Sequence, residues 1–206
     1  MKFDNNKKII LVIFVFITIL FYFSYAVYAL NQSSIYLENG LLENIQVITL
    51  FLACVSFIFP VFSQSRSDKL MLMLMFFSFL CFSFILREVD VEEIDIAYFL
   101  IFIGHGIGRN IMLIIGFSSM TLYAIFHFEY YRKLVKVFFS SRGSKIIIPA
   151  TILLYVGDFF EHSHSILHYV FLEEMFELSG YVLILITALF FWDNKLSPVN
   201  NINKVP

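Results

Sequence analysis

The chain alternates long apolar stretches with short polar segments. A helix that crosses a hydrocarbon core about 30 Å thick needs roughly 20 mostly apolar residues, and continuous apolar runs favour helices over the alternating strands of a barrel. The pattern therefore predicts an all-α integral membrane bundle of six transmembrane helices. The six stretches that approach this length are 9–30, 42–62, 70–86, 110–128, 146–162 and 169–192.

The composition supports the same class. Hydrophobic residues make up 60% of the 206 residues and charged residues 15%, with a mean hydropathy of +0.83. A soluble domain carries roughly 45–50% apolar and about 25% charged residues, and it could not bury this much apolar surface. The formal net charge of −2 excludes the basic surface that a nucleic-acid partner requires. The lipid bilayer is the partner that these numbers predict.

The cations indicate the orientation. Twelve of the fourteen Lys and Arg residues lie at the N-terminus or in the segments after the second, fourth and sixth stretches. The other two are Arg87 and Arg109. Cytoplasmic loops are enriched in Lys and Arg. Both termini are therefore expected in the cytoplasm, and the protein is expected in the inner membrane.

The segment before the fourth stretch is irregular. Residues 96–104 are apolar but too short to span, and Gly104, Gly106 and Gly108 follow in alternation. We predict a short outer-face or re-entrant helix here. Residues 1–193 are interpreted as one transmembrane domain and 194–206 as a disordered cytoplasmic tail. A cleaved signal peptide is the alternative for the first stretch, although its 22 residues favour an uncleaved helix.

Polar side chains concentrate on the predicted outer side. Beyond Glu177 the last stretch has only 15 apolar residues, which cover roughly 22 Å as a helix. Beyond Gln46 the second stretch covers roughly 24 Å. Because both are shorter than the core of about 30 Å, Glu177, Gln46 and Glu43 are expected below the outer interface. An isolated carboxylate there costs at least about 2.5–3.5 kcal/mol, so these groups need partners.

A polar, acidic cavity on that side is the predicted site, with Arg87 and Arg109 expected to neutralise part of its charge. Tyr36, Tyr98, Tyr169 and Tyr181 are interpreted as aromatic anchors at the outer interface. The predicted members of the site are Glu38, Glu43, Gln46, Arg87, Glu88, Asp90, His105, Arg109, Asp158, Glu161, His162, Glu174 and Glu177.

A divalent metal ion is the one cofactor that the sequence suggests. Glu161, His164 and His168 share a face if residues 161–168 are helical, and imidazole with carboxylate is a metal-ligand set. The same segment is also expected to hold the turn between the fifth and sixth stretches. The competing interpretation is that its histidines are solvated side chains at the membrane interface and bind no metal. Asp158 and His162, four residues apart, are alternatively an ion pair at a helix end.

Three short segments together resemble a pattern in small bacterial inner-membrane proteins without an assigned activity. The segments are Glu38-Asn39-Gly40-Leu41-Leu42-Glu43-x-x-Gln46, Arg87-Glu88-x-Asp90 and Glu173-Glu174-x-x-Glu177. The resemblance implies that these residues belong to one site, and it supplies no chemistry.

Three functions stay open from the sequence. The first is a binding or helix-packing site in which Arg–carboxylate pairs hold helices together. The second is a metal-assisted membrane enzyme that acts on a lipid or lipid-linked substrate. The third is a cation or proton transporter that uses the acids as a relay. Whether the chain is an enzyme, and whether it pairs with another membrane protein or a second copy of itself, is left open.

Overall fold

The computed structural model describes residues 5–36, 40–63, 68–89, 104, 106–140, 143–163 and 167–192. Regular structure in these ranges is entirely helical, which confirms the predicted all-α class. A short 3-10 turn, Ser33–Ile35, precedes the second helix. The seven α-helices in the described ranges are α1 (Asn5–Tyr28), α2 (Leu41–Ser63), α3 (Asp68–Glu88), α4 (Gly106–Phe126), α5 (Phe128–Ser140), α6 (Ser144–Glu161) and α7 (Tyr169–Trp192).

Five of these helices are long and apolar enough to cross a membrane, which supports a membrane protein. The candidate spans are Lys7–Tyr28, Leu41–Phe62, Met71–Glu88, Gly106–Phe126 and Tyr169–Phe191. The remaining predicted span, 146–162, is helical as α6 but carries Lys145, Asp158 and Glu161 within 18 residues. Six crossings and their orientation therefore stay a prediction.

Helix α7 lies at the centre of the bundle. It packs most extensively against α6 and α2, and α2 packs in turn on α3. About 72% of the apolar stretch of α7 is buried, against 11% for α1 and 0% for α4. Helices α1 and α4 are thus peripheral, and their exposed apolar side chains are those expected to face lipid.

Small residues bring α6 and α7 into close contact along their whole lengths. Thr187 Oγ1 donates a hydrogen bond of 3.4 Å to the Gly143 carbonyl. A Cβ atom added to Gly180 would lie 2.8 Å from the Leu154 side chain, and one added to Gly157 would lie 2.8 Å from Glu177 Cγ. Residue numbers rise on one helix as they fall on the other, so the two helices run antiparallel.

The amphipathic basic stretch after the fourth span forms α5. Arg132 and Lys133 on this helix are exposed, whereas Leu134 and Phe138 are buried. One face therefore packs on the bundle and the other carries positive charge. The fourth span begins as α4 at Gly106, four residues before the predicted start. The predicted outer-face or re-entrant helix covers 96–104, of which the structure describes only Gly104, as helical and buried. The tail 194–206 lies outside the described residues.

Candidate functional site: a buried polar cluster between α2, α3 and α7

Three helices contribute polar side chains to one end of the bundle. These side chains come from the beginning of α2, the end of α3 and the beginning of α7, ends that the antiparallel connections place together. We call the following six residues the polar cluster: Gln46, Arg87, Glu88, Glu174, Glu177 and Tyr181.

One half of the polar cluster joins α2 to α7. Gln46 is fully buried, and its Nε2 donates to Glu174 Oε2 at 2.7 Å and to the Glu174 carbonyl at 2.9 Å. Gln46 Oε1 is buried without a hydrogen-bond partner among the described residues. A buried acceptor without a donor costs about 1–3 kcal/mol, so this oxygen is a position at which an added donor would be favourable.

The other half joins α3 to α7. Arg87 Nη2 forms salt bridges with Glu177 Oε2 and with Glu88 Oε1, the latter at 2.9 Å. Tyr181 donates its hydroxyl hydrogen to Glu88 Oε1 at 2.8 Å and accepts from Arg87 Nη2 at 3.2 Å. The side chains of Glu88 and Glu177 are only 7% and 3% exposed, whereas that of Arg87 is 46% exposed.

The helical repeat of α7 explains why its three polar residues act together. Glu177 follows Glu174 by three residues, and Tyr181 follows Glu177 by four, so all three lie on one face of the helix. This face is turned toward α2 and α3. On the neighbouring side, α6 approaches closely because Gly157 has no side chain to collide with Glu177.

The polar cluster carries an excess of acid. Its six residues include three carboxylates and one guanidinium, that of Arg87, which pairs with Glu88 and Glu177. The third carboxylate, that of Glu174, accepts from Gln46. Buried charges are stable only when they are paired, hydrogen-bonded or otherwise neutralised. The geometry therefore suits a positively charged group more than an anion.

The structure brings together five of the thirteen predicted site residues: Gln46, Arg87, Glu88, Glu174 and Glu177. Glu43, one turn before Gln46 on α2, is half-buried. Arg109 Nη1 donates to the Leu86 carbonyl at 3.0 Å, at the end of α3. Its expected role in neutralising acids stays a prediction. Glu38, Asp90 and His105 lie outside the described residues.

Three other predicted members, Asp158, Glu161 and His162, lie together but exposed at the end of α6. Each offers one ligand atom, and these atoms all lie within 4.8 Å of one another. His162 Nδ1 lies 2.9 Å from the Asp158 carbonyl oxygen, so the described contact is with the backbone and not the ion pair considered as the alternative.

The predicted metal set of Glu161, His164 and His168 stays a prediction. His168 Nδ1 lies 3.3 Å from the Tyr36 hydroxyl oxygen, and its ring packs edge-on against Tyr28. His164 lies outside the described residues. The described partners of His168 are thus aromatic residues near α1 rather than carboxylates.

Tyr181 is the member of the polar cluster that the sequence did not identify. Its interpretation as an aromatic anchor at the interface was wrong, because the residue is completely buried. The signal that points to it is its spacing on α7, seven residues after Glu174 and four after Glu177.

Replacing Tyr181 with phenylalanine should isolate the contribution of its hydroxyl. We expect the Tyr181→Phe variant to lose about 2 kcal/mol of unfolding free energy, since hydrogen bonds to charged groups contribute about 1.5–3 kcal/mol. Chemical denaturation of the purified protein in mild detergent measures the change. Tyr155→Phe is the matched control because Tyr155 is 73% exposed. Equal losses in the two variants would contradict a specific role for Tyr181.

No protein-family model, no curated protein and no solved structure matches this chain.

Proposed function

We propose that the chain is a six-span membrane protein with both termini in the cytoplasm, and that the polar cluster at its non-cytoplasmic end binds a small cationic group. The observation that carries the binding proposal is the buried excess of three carboxylates over one guanidinium. A positively charged occupant would balance that excess and remove the cost of burying unpaired charge.

The packing of α6 supports six crossings. Contacts from Gly143–Thr187 at one end to Gly157–Glu177 at the other align α6 with α7 over its full length. Its 18 residues extend roughly 27 Å at 1.5 Å per residue, close to the thickness of a hydrocarbon core. Its charged residues lie near its two ends, where a spanning helix meets the headgroups.

The hydrogen bonds of Gln46 favour a cation that can donate. Its Nε2 already serves Glu174, while its Oε1 is buried and accepts no hydrogen bond from the described residues. An ammonium group carries three donors, enough to reach this oxygen and a neighbouring carboxylate together. A primary ammonium is therefore the cationic group that suits the described acceptors best.

The binding proposal is tested by thermal unfolding in nonionic detergent, with methylammonium chloride compared against sodium chloride at equal concentration. At ten times its dissociation constant a ligand stabilises by about 1.4 kcal/mol, or about 3–5 °C for a chain of this size. We expect the unfolding temperature in methylammonium chloride to exceed that in sodium chloride by this amount.

Glutamine variants assign the effect to the polar cluster. Glu174→Gln removes one buried carboxylate and should abolish the methylammonium shift. Glu129→Gln removes an exposed carboxylate on α5 and should keep it. If the wild type shows no shift while Glu174→Gln is destabilised, the cluster only packs helices and the binding proposal fails. A shift that persists in Glu174→Gln would place the cation elsewhere.

A further inference from the structure

An apolar crevice runs between α1, α2 and α7. Its volume is about 290 Å³, and it is partly open. Representative lining residues are Val15 and Ile19 of α1, Ile48 and Leu52 of α2, and Leu178 and Val182 of α7. The lining of the crevice is almost entirely apolar.

The lining of the crevice approaches the polar cluster along α2 and α7 without including any of its six residues. Leu178 lines it and follows Glu174 by four residues, so the two lie on the same face of α7. On α2, Thr49 lines it and follows Gln46 by three residues. The Gln46–Glu174 hydrogen bond, which joins the same two helices, therefore lies about one helical turn from the lining of the crevice.

We infer that the crevice and the polar cluster together hold one lipid of the bilayer that carries an ammonium headgroup, with an acyl chain between α1, α2 and α7. This inference rests on the proposed cation site and names the molecule that supplies the cation. The charge excess of the cluster selects an ammonium over an anionic headgroup, and the apolar lining selects a chain over a free small cation.

Helix α1 is suited to admitting such a chain. Only 11% of its apolar stretch is buried, and its contacts with α7 are fewer than those of α2 and α6. Ile48 on the opposite wall is 59% exposed. A chain can therefore enter sideways from the lipid without separating the central helices α2, α6 and α7.

Three probes in dodecyl maltoside micelles separate the head from the chain: methylammonium, dodecanol and dodecylammonium. Only dodecylammonium has both a head for the polar cluster and a chain for the crevice. It should therefore raise the unfolding temperature by about 5 °C or more, which is more than either of the other two probes. If dodecanol stabilises as much as dodecylammonium, the polar cluster plays no part and the inference is wrong.

Two tryptophan variants locate the chain. Ile48→Trp fills the crevice and should reduce the dodecylammonium shift to that of methylammonium. Val55→Trp adds the same side chain at a half-exposed position of α2 outside the crevice, and should keep the full shift. A full shift in a folded Ile48→Trp protein overturns the crevice as the chain site and leaves the cation proposal standing.

The lipid source is tested with the intact protein. Nanodiscs of phosphatidylethanolamine should unfold at a higher temperature than nanodiscs of phosphatidylglycerol with the same chains, and Ile48→Trp should reduce the difference. Glu174→Gln should lose both the methylammonium shift and the difference in unfolding temperature between the two kinds of nanodisc. If it loses the shift but keeps the difference, the lipid headgroup does not bind at the polar cluster and the inference is wrong. If the unfolding temperature is equal in both lipids, the polar cluster binds only free cations and the lipid inference is wrong.

Discussion

We expect the Arg87→Gln variant to lose about 3 kcal/mol of unfolding free energy. Arg87 is the guanidinium that pairs with both Glu88 and Glu177, whose side chains are only 7% and 3% exposed. Removing one partner of a buried ion pair costs about 3–5 kcal/mol because it leaves an uncompensated charge. The lower end of that range applies since half of the Arg87 side chain is exposed.

Thermal unfolding in detergent measures this loss as a shift of about 6–12 °C. Arg132→Gln is the matched control, because Arg132 is exposed on α5. The double variant Arg87→Gln, Glu177→Gln should recover part of the loss, since one of the two stranded carboxylates is then neutral. If the double variant is no more stable than Arg87→Gln, the salt bridge does not explain the stability of this region.

The long apolar helices could be predicted from the sequence because lipid imposes a simple rule on helices that cross it. Apolar runs of about 20 residues have few alternatives to a membrane helix, and five of the six predicted stretches appear as candidate spans. The sixth, α6, is helical as expected but carries three charged residues. Its place beside α7 depends on Gly157 and Gly180, and close packing of this kind cannot be assigned from one helix alone.

The need of Glu177 for a partner was also predictable. A helix with only 15 apolar residues beyond Glu177 is expected to lower that carboxylate below the interface, where it needs a partner, and the structure buries it against Arg87. Its depth in a membrane stays a prediction. Which side of α6 packs against α7 was not predictable in this way. Gly157 is the residue that contacts α7, so Asp158 is rotated about 100° from the contact and lies exposed.

Helix rotation likewise explains the error at Tyr181. A tyrosine close to a membrane interface usually anchors there, and sequence alone does not show which way it points. Once Glu174 and Glu177 face α2 and α3, the helical repeat carries Tyr181 to the same side. Its hydroxyl then finds Glu88, which lies on another helix 93 residues earlier in the chain. Such long-range partners depend on tertiary packing.

The second large effect is expected at Gly157. A Cβ there would lie 2.8 Å from Glu177 Cγ and 3.4 Å from the Glu173 carbonyl oxygen, so any larger side chain separates α6 from α7 at the polar cluster. Overpacking of this kind costs about 1–3 kcal/mol, and leucine should reach the upper end because one neighbour is backbone. We expect Gly157→Leu to lose about 3 kcal/mol of unfolding free energy in detergent.

The same substitution should also affect cation binding, because Glu177 Cγ is the atom displaced. Gly157→Ala, a smaller intrusion, should fold but show a weakened methylammonium shift, as Glu177 moves relative to Arg87. Ile152→Phe adds bulk on the 57% exposed side of α6 and is the control for helix α6 itself. Wild-type stability in Gly157→Leu would show that α6 does not pack against α7 as described, and with it the support for a sixth crossing would be lost.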